Sequence, residues 1–130
     1  MNKTILLTGV VFGLLAVVFG AFGAHGLEKM VEPEAISTFE IGVRYQMYHA
    51  LFLLFIGLWT GLKANKKRIV YTLIVLGIAL FSFSIYGLAL NSIIKFDFRS
   101  IAFLTPIGGV FLIFGWFFTG YFILTQKRIN

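Results

Sequence analysis

The two histidines of this chain, His25 and His49, are its residues with the most versatile chemistry. His25 stands in the stretch GAFGAHGLEK and His49 in RYQMYHALF, each beside a long apolar run. An imidazole can bind a metal ion, carry a proton or form hydrogen bonds between helices. The sequence therefore poses a choice between one shared ligand or proton site and two separate polar residues that anchor helix ends.

Other kinds of catalytic chemistry have weak support in the sequence. The chain has no cysteine, which excludes thiol catalysis, disulfides and cysteine-type zinc sites. Two histidines form a thin ligand set for a metal, and no flanking motif indicates haem. Ser82 and Ser84 lack the base and acid that would activate a nucleophile. We expect no catalytic residue, no metal and no cofactor. A membrane enzyme or cofactor carrier that uses the two histidines stays open as an alternative.

The composition indicates an integral membrane protein. Of the 130 residues, 59% are hydrophobic and 12% are charged, and the mean hydropathy is +0.95. Soluble domains carry about 25% charged residues, so this chain has too few to cover a water-facing surface. The net charge of +6 comes without a basic stretch interleaved with aromatic residues, so we expect no nucleic-acid partner. Residues 1–130 are predicted to form a single transmembrane domain.

Four apolar segments are long enough, or nearly so, to cross a bilayer as helices, which takes about 17–25 residues. They cover residues 5–24, 45–62, 69–90 and 101–124. Because the hydrocarbon interior offers no water to backbone groups, each segment must be a helix. We predict an all-α fold, an integral membrane four-helix bundle. The first segment also resembles a signal peptide, but it is longer than the usual run of about 7–15 apolar residues, so we expect an uncleaved helix.

The second helix is predicted to begin well before its span. Pro33 suits a first helical turn, where its missing N–H does no harm. Glu32 and Glu34 favour a helix N-terminus electrostatically. Apolar and polar residues then mix between Ala35 and Met47. We expect an amphipathic lead-in at the outer surface that continues into the second span.

The distribution of lysine and arginine predicts the orientation of the bundle. With four spans, the N-terminus, the loop between the second and third spans and the C-terminus share one side, which carries most of the basic residues. Both termini are therefore expected in the cytoplasm, in a multi-pass protein of the cell membrane. The stretch KANKKR is interpreted first as this orientation signal, and lipid-headgroup or protein binding is a secondary role. The basic residues of this side are Lys3, Lys63, Lys66, Lys67, Arg68, Lys127 and Arg128; the other side has Lys29, Arg44, Lys95 and Arg99, with the acids Glu28, Glu32, Glu34, Glu40 and Asp97.

Small residues predict how the helices pack, because close backbone approach drives helix association in lipid. The first span carries a continuous small stripe, and the second has a glycine pair four residues apart. Glycine faces on the second and fourth spans, the latter at Gly115 and Gly120, would also permit a homo-oligomer. Pro106, inside the fourth predicted span, is expected to kink that helix. The predicted packing residues are Gly9, Gly13, Ala16, Gly20, Gly23, Gly57 and Gly61.

The predicted topology gathers polar residues in the outer half of the bundle. Polar side chains within a span usually face the protein interior and mark a functional site. We expect His25 and His49 at matching depth, and Glu40 at the right spacing to pair with Arg44. The cluster is predicted to be either a ligand pocket or a structural clasp of anchors and interhelical hydrogen bonds. Its members are His25, Glu40, Arg44, Tyr45, Tyr48, His49, Ser82, Ser84, Tyr86, Asn91 and Thr105.

Four stretches of the sequence together resemble a known family. They are GAFGAHGL, RYQMYHALFLL, LFSFSIYGLAL and LTPIGGVFLIFGW, in this order. The family they resemble is domain-of-unknown-function family 423, a set of small four-helix inner-membrane proteins that looks related to the eukaryotic transmembrane protein 256 group. The resemblance covers nearly the whole chain. It implies a four-span membrane protein, and it implies no reaction and no catalytic residue.

These features favour a non-enzymatic membrane protein with membrane lipid as a partner. Such a protein would support the integrity of the membrane or envelope, or bind lipid or a protein partner. The small size and the missing catalytic set motivate this interpretation. The alternative is a small-solute transporter or channel subunit with a polar pocket in the outer half of the bundle. That alternative requires oligomerisation, because four short helices rarely enclose a complete path.

Overall fold

The computed structural model describes residues 2–127, which fold into four long helices and contain no β-strand. Helix α1 covers Lys3–His25, α2 Pro33–Leu58, α3 Ala64–Ala89 and α4 Leu104–Thr125. Short 3₁₀ helices lie at Leu27–Lys29 and Phe98–Ile101. Each of the four long helices is long and apolar enough to cross a membrane. The predicted all-α, four-helix membrane architecture is therefore confirmed.

Helix boundaries differ from the predicted spans in several places, and α3 begins at Ala64 rather than at residue 69. The second span was expected to reach residue 62, but α2 ends at Leu58, and Gly61 lies in the turn before α3. Gly61 therefore shares no helix face with Gly57; it lies against the indole of Trp59. The fourth span was expected from residue 101, but α4 begins at Leu104 after a 3₁₀ turn. In both places the apolar run continues past the end of the helix.

Helix α2 begins at Pro33, which confirms the predicted extension of the second helix. Glu32 caps it with an extended backbone, and Pro33 occupies the first turn. With 26 residues, α2 is about 39 Å long, which exceeds the roughly 30 Å of a hydrocarbon core. The length of α2 therefore allows an extension beyond the membrane core or a tilt within it. In its early turns Phe39 is buried in a small cluster with Leu27 and Tyr86.

Helices α2 and α3 form the centre of the bundle, and α1 and α4 flank them. Each helix contacts the next along the chain. Helix α1 also reaches α3, where the Phe12 and Phe83 rings meet, and α4 reaches α2, where the Trp116 and Phe52 ring centroids are 4.2 Å apart. The main apolar core includes Ile5, Phe52, Leu53, Ile56, Leu62, Val70, Ile74, Ile78, Leu112 and Phe122.

Small residues permit the close approach of α1 and α2. Gly9 is buried against Leu54, and Gly23 is buried against the Phe39 ring. Other glycines that were expected to serve a second protomer are covered within the chain, as a Cβ at Gly57 would meet Leu6 and one at Gly115 would meet Ile74. Gly120, in contrast, has open space beside it.

Pro106 lies at the start of α4 and not in the interior of the helix, where the prediction placed a kink. It is the third residue of α4, in the first turn, where a backbone N–H has no acceptor within the helix. Its missing N–H therefore removes no helical hydrogen bond, so the expected cause of a kink is absent. Helix α4 runs without a break from Leu104 to Thr125.

Charged residues separate between the two ends of the bundle. We call the start of α1, the α2–α3 loop and the end of α4 the basic end, and the opposite helix ends with their loops the acidic end. All five acids of the chain lie at the acidic end or, for Glu40, in the early turns of α2. Arg128, which was counted with the basic side, lies outside the described residues. The cytoplasmic location of the basic end stays a prediction.

Gly108→Ala tests the packing of α4 on α3. A Cβ at Gly108 would overlap the backbone of Leu80 and Phe81, which cannot move aside as a flexible side chain can. We expect the substitution to lower the free energy of unfolding by about 1–3 kcal/mol, as in other overpacked cores. Thermal unfolding of the purified protein in detergent measures the change.

The matched control is Gly120→Ala, whose Cβ would enter open space on the same helix. We expect this variant to keep its stability or to gain up to about 1 kcal/mol, because alanine favours a helix over glycine. Equal destabilisation by both substitutions would contradict the packing of α4 described above.

Candidate functional site

The two histidines lie at different depths, which corrects the expectation of a matching depth. Gly13 of α1 faces Ala50, the neighbour of His49 in α2. His25 lies about 18 Å further along α1 than Gly13, at about 1.5 Å per residue. His25 is exposed, whereas His49 is buried. The structure therefore does not bring the two imidazoles into one site.

Gln46 is the polar residue with the most complete set of interhelical bonds. Its side chain is 0% exposed in the middle of α2. Its Nε2 donates to the carbonyl oxygen of Phe12 in α1 at 2.8 Å, and its Oε1 accepts from the Tyr86 hydroxyl of α3 at 2.7 Å. One side chain thus links three helices. The predicted cluster includes Tyr86 but omits Gln46. The sequence does contain a signal for Gln46, because an amide within a membrane span needs hydrogen-bond partners.

Two serines of α3 form separate links to other helices. The buried Ser82 hydroxyl donates to the Gly42 carbonyl of α2 at 2.9 Å. The Ser84 hydroxyl lies 2.6 Å from that of Thr105 in α4, and it also donates to the Phe81 carbonyl of its own helix. Ser82 therefore joins α3 to α2, and Ser84 joins α3 to α4. Neither has a carboxylate or imidazole as its partner.

A further link lies near the basic end, away from the outer half in which the polar cluster was predicted. The hydroxyls of Thr8 in α1 and Tyr71 in α3 are 3.0 Å apart. The Thr8 hydroxyl also donates to the Thr4 carbonyl. Polar contacts between helices are therefore distributed along the bundle and are not confined to its outer half.

His49 is held by bonds at both ring nitrogens. Its Nδ1 lies 2.7 Å from the carbonyl oxygen of Tyr45, and its Nε2 lies 3.0 Å from the indole Nε1 of Trp116 in α4. A carbonyl oxygen only accepts and an indole N–H only donates. The proton must therefore be on Nδ1, and Nε2 must accept. His49 is the neutral Nδ1–H tautomer, and neither ring nitrogen is free for a metal or a substrate proton.

Several predicted cluster members are exposed rather than buried. His25, Glu40, Arg44, Tyr45 and Tyr48 are exposed. The expected pair of Glu40 with Arg44 does not form; within residues 2–127, the ion pair observed joins Arg99 to Asp97. Tyr45 contributes its backbone carbonyl to His49, while its ring meets Phe81 at 5.2 Å between centroids.

Asn91 organises the loop between α3 and α4. Its Oδ1 accepts from the Phe98 backbone N–H at 2.7 Å. Beside it, hydrogen bonds from the side chain and backbone of Arg99 hold the pKa of the Asp97 carboxyl below its usual value. These groups are at the surface of the acidic end, and they fix a loop rather than line a pocket.

The buried polar groups are satisfied by one another. Throughout residues 2–127, every buried side-chain nitrogen or oxygen has a hydrogen-bond partner, and no group of three or more His, Asp or Glu residues could hold a metal. The depression nearest to Tyr86, of about 170 Å³, is apolar and is lined by Phe19, Phe22, Phe39, Tyr86 and Leu90. The two alternatives were a ligand pocket and a structural clasp, and the arrangement resembles the clasp. Its hydrogen bonds form several separate links between helices.

Comparison with known proteins gives a consistent family. The family model described as "Protein of unknown function (DUF423)" matches residues 19–109. A UPF0382 membrane protein of Staphylococcus saprophyticus is 43% identical over 114 residues, which cover 88% of this chain and 91% of that protein. A UPF0382 membrane protein of Haemophilus influenzae is 36% identical over 129 residues, 98% of each chain. No solved structure matches the chain.

A double-mutant cycle with Gln46→Leu and Tyr86→Phe tests the link between α2 and α3. Interhelical hydrogen bonds in membrane proteins contribute about 0.6 kcal/mol on average and at most about 1.7 kcal/mol. We expect each variant to be less stable than the wild type, and the pair to show a coupling free energy in that range. Unfolding in mixed detergent micelles provides the values.

Thr125→Val is the control for this cycle, because Thr125 is exposed and, within residues 2–127, its hydroxyl donates to the Tyr121 carbonyl of its own helix. It should leave stability unchanged and should not couple to Tyr86→Phe. Strictly additive losses for Gln46→Leu and Tyr86→Phe would contradict a direct bond between the two side chains.

Nitrogen NMR of the His49 ring tests the assigned tautomer. We expect a protonated Nδ1 and an unprotonated Nε2 at neutral pH, because Trp116 donates to Nε2. Trp116→Phe should change the Nε2 shift and leave Nδ1 protonated. The exposed His25 provides an internal reference. A proton on Nε2 of the wild-type His49 would contradict this hydrogen-bond assignment.

Proposed function

This chain belongs to the DUF423 family, and we propose that it is a non-enzymatic integral protein of the cell membrane that supports the membrane by binding lipid or a protein partner through its surface. Its interior, in this proposal, serves to hold the helices together. The relatives are named as membrane proteins, and those names assign them no reaction.

The observation that carries the proposal is that the buried polar groups are already hydrogen-bonded within the protein. Catalysis requires groups that can exchange bonds with a substrate, and a transport path requires polar groups that face a passage. Here Gln46 is bonded on two sides and His49 at both ring nitrogens. The side chains that would be active in an enzyme or a transporter are already engaged with other helices.

The outward faces of the flanking helices support an action at the surface. Leu14 on α1 and Ile113 on α4 are among many large apolar side chains exposed there. In a bilayer, such faces contact acyl chains or the helices of another protein. The surface therefore offers an extensive area for binding, whereas the interior offers none.

Reconstitution into liposomes tests the absence of a transport path. We expect neither ion conductance nor uptake of small fluorescent solutes above the level of protein-free liposomes, because the buried polar groups are bonded within the protein. An added ionophore provides the positive control. Flux that His49→Ala or Gln46→Leu abolishes would contradict the proposal and favour the transporter alternative.

Deletion of the gene tests the supporting role in cells. We expect entry of a membrane-impermeant dye to increase and a wild-type copy to restore the barrier. Unchanged dye entry, together with unchanged resistance to detergents and osmotic shock, would contradict a role in supporting the membrane.

A further inference from the structure

Within residues 2–127, no Asp or Glu lies at the basic end to neutralise its cations. All five acids of the chain are placed elsewhere, and the ion pair found in residues 2–127 is at the acidic end. Lys67 differs from the other cations of this end because it is buried, and its Nζ donates to the Gly57 carbonyl at 3.4 Å. The exposed cations of this end therefore retain their full attraction for an anion.

Three of these lysines surround one depression of about 480 Å³. It lies between the α2–α3 loop and the end of α4. Lys66 is held in place there, with its Nζ 4.8 Å from the centroid of the Phe122 ring. Lys63 and Lys127 are exposed at the rim. The residues that line the depression are Gly61, Lys63, Lys66, Thr125, Gln126 and Lys127.

An exposed apolar stripe on α4 leads away from this depression. Ile113, Phe117 and Tyr121 are 66%, 60% and 51% exposed. They precede Thr125 at intervals of four residues, so they lie on the same face of the helix. A molecule with an anionic head in the depression would therefore have its apolar tail along this stripe.

We propose that the depression binds the phosphate of an anionic phospholipid, with Lys63, Lys66 and Lys127 as its cationic partners and the α4 stripe as the track of an acyl chain. The depression lies at the end of four membrane-spanning helices, where headgroups are located. Trp59, a residue type enriched at membrane interfaces, lies against Gly61 of the adjoining loop. Basic pockets between transmembrane helices are known to bind anionic headgroups. This inference rests on the proposed function and names one lipid class and one site for it.

Native mass spectrometry of the protein purified in neutral detergent tests the site. The probes are palmitoyl-oleoyl-phosphatidylglycerol, phosphatidylcholine with the same chains, and inorganic phosphate. We expect the wild type to bind phosphatidylglycerol more tightly than either other probe. The test variant is Lys63→Gln/Lys66→Gln/Lys127→Gln. A lysine near a charged membrane surface contributes about a fivefold factor in affinity. The loss of three lysines should therefore weaken the binding of phosphatidylglycerol roughly 100-fold.

The matched control is Lys29→Gln/Arg44→Gln/Lys95→Gln, which removes the same charge outside the basic end and should bind phosphatidylglycerol as the wild type does. Lys63→Arg/Lys66→Arg/Lys127→Arg keeps the charge and should keep the preference. Circular dichroism confirms that each variant retains its helices, and the arginine variant provides the test if the glutamine variant does not fold.

Each contrary result has a distinct meaning. Equal binding of the two lipids by the wild type, or equal weakening in both glutamine variants, would overturn the site. Phosphate bound as tightly as phosphatidylglycerol would overturn the lipid in favour of a free anion. Phosphatidylglycerol held equally by the wild type and the Lys63/Lys66/Lys127 glutamine variant would contradict this site but leave lipid binding elsewhere intact. Flux through liposomes would contradict the proposed function itself.

Discussion

A side-chain amide inside a lipid-embedded bundle must find its hydrogen-bond partners within the protein, and Gln46 imposes this constraint here. Its donor reaches α1 and its acceptor reaches α3, while the residue itself is on α2. Both bonds form together only when the three helices hold the observed register. Apolar contact alone gives no such selection, because lipid is as favourable a neighbour as leucine.

Small residues make this register sterically accessible. The Tyr86 ring lies directly against Gly42, where a Cβ would come within 2.6 Å of the ring. In the same region Ser82 donates to the Gly42 carbonyl, so the glycine contributes both space and an acceptor. Tyr86 can therefore reach Gln46 while its ring stays buried against Phe39, at 4.9 Å between centroids. Hydrogen bonding and close packing at this contact depend on each other.

Hydropathy was sufficient to predict four spanning helices, and Pro33 was sufficient to predict the early start of α2, since both depend on local sequence. The positions of Gly61 and Pro106 were misjudged because apolar residues continue beyond the helix ends, so composition does not mark the boundary. The interior links could not be predicted in detail. Whether Gln46 meets Tyr86, or His49 meets Trp116, depends on the register between helices. The spacing of residues within one helix gives no information about that register.

The interior and the basic end differ in whether their polar and charged groups have partners within the protein, and this difference supports the proposed action at the surface. Inside the bundle, polar groups are matched in pairs, so a ligand would have to break a link between helices to bind there. At the basic end, lysines have no acidic partners in the described chain, and an anion in the depression would gain their attraction without replacing an ion pair. Binding there costs the desolvation of exposed groups and the ordering of the lysine side chains and the ligand. A ligand that joins an anionic head to an apolar tail matches both the depression and the α4 stripe beside it, and this match is why we propose a membrane lipid as the ligand of this site.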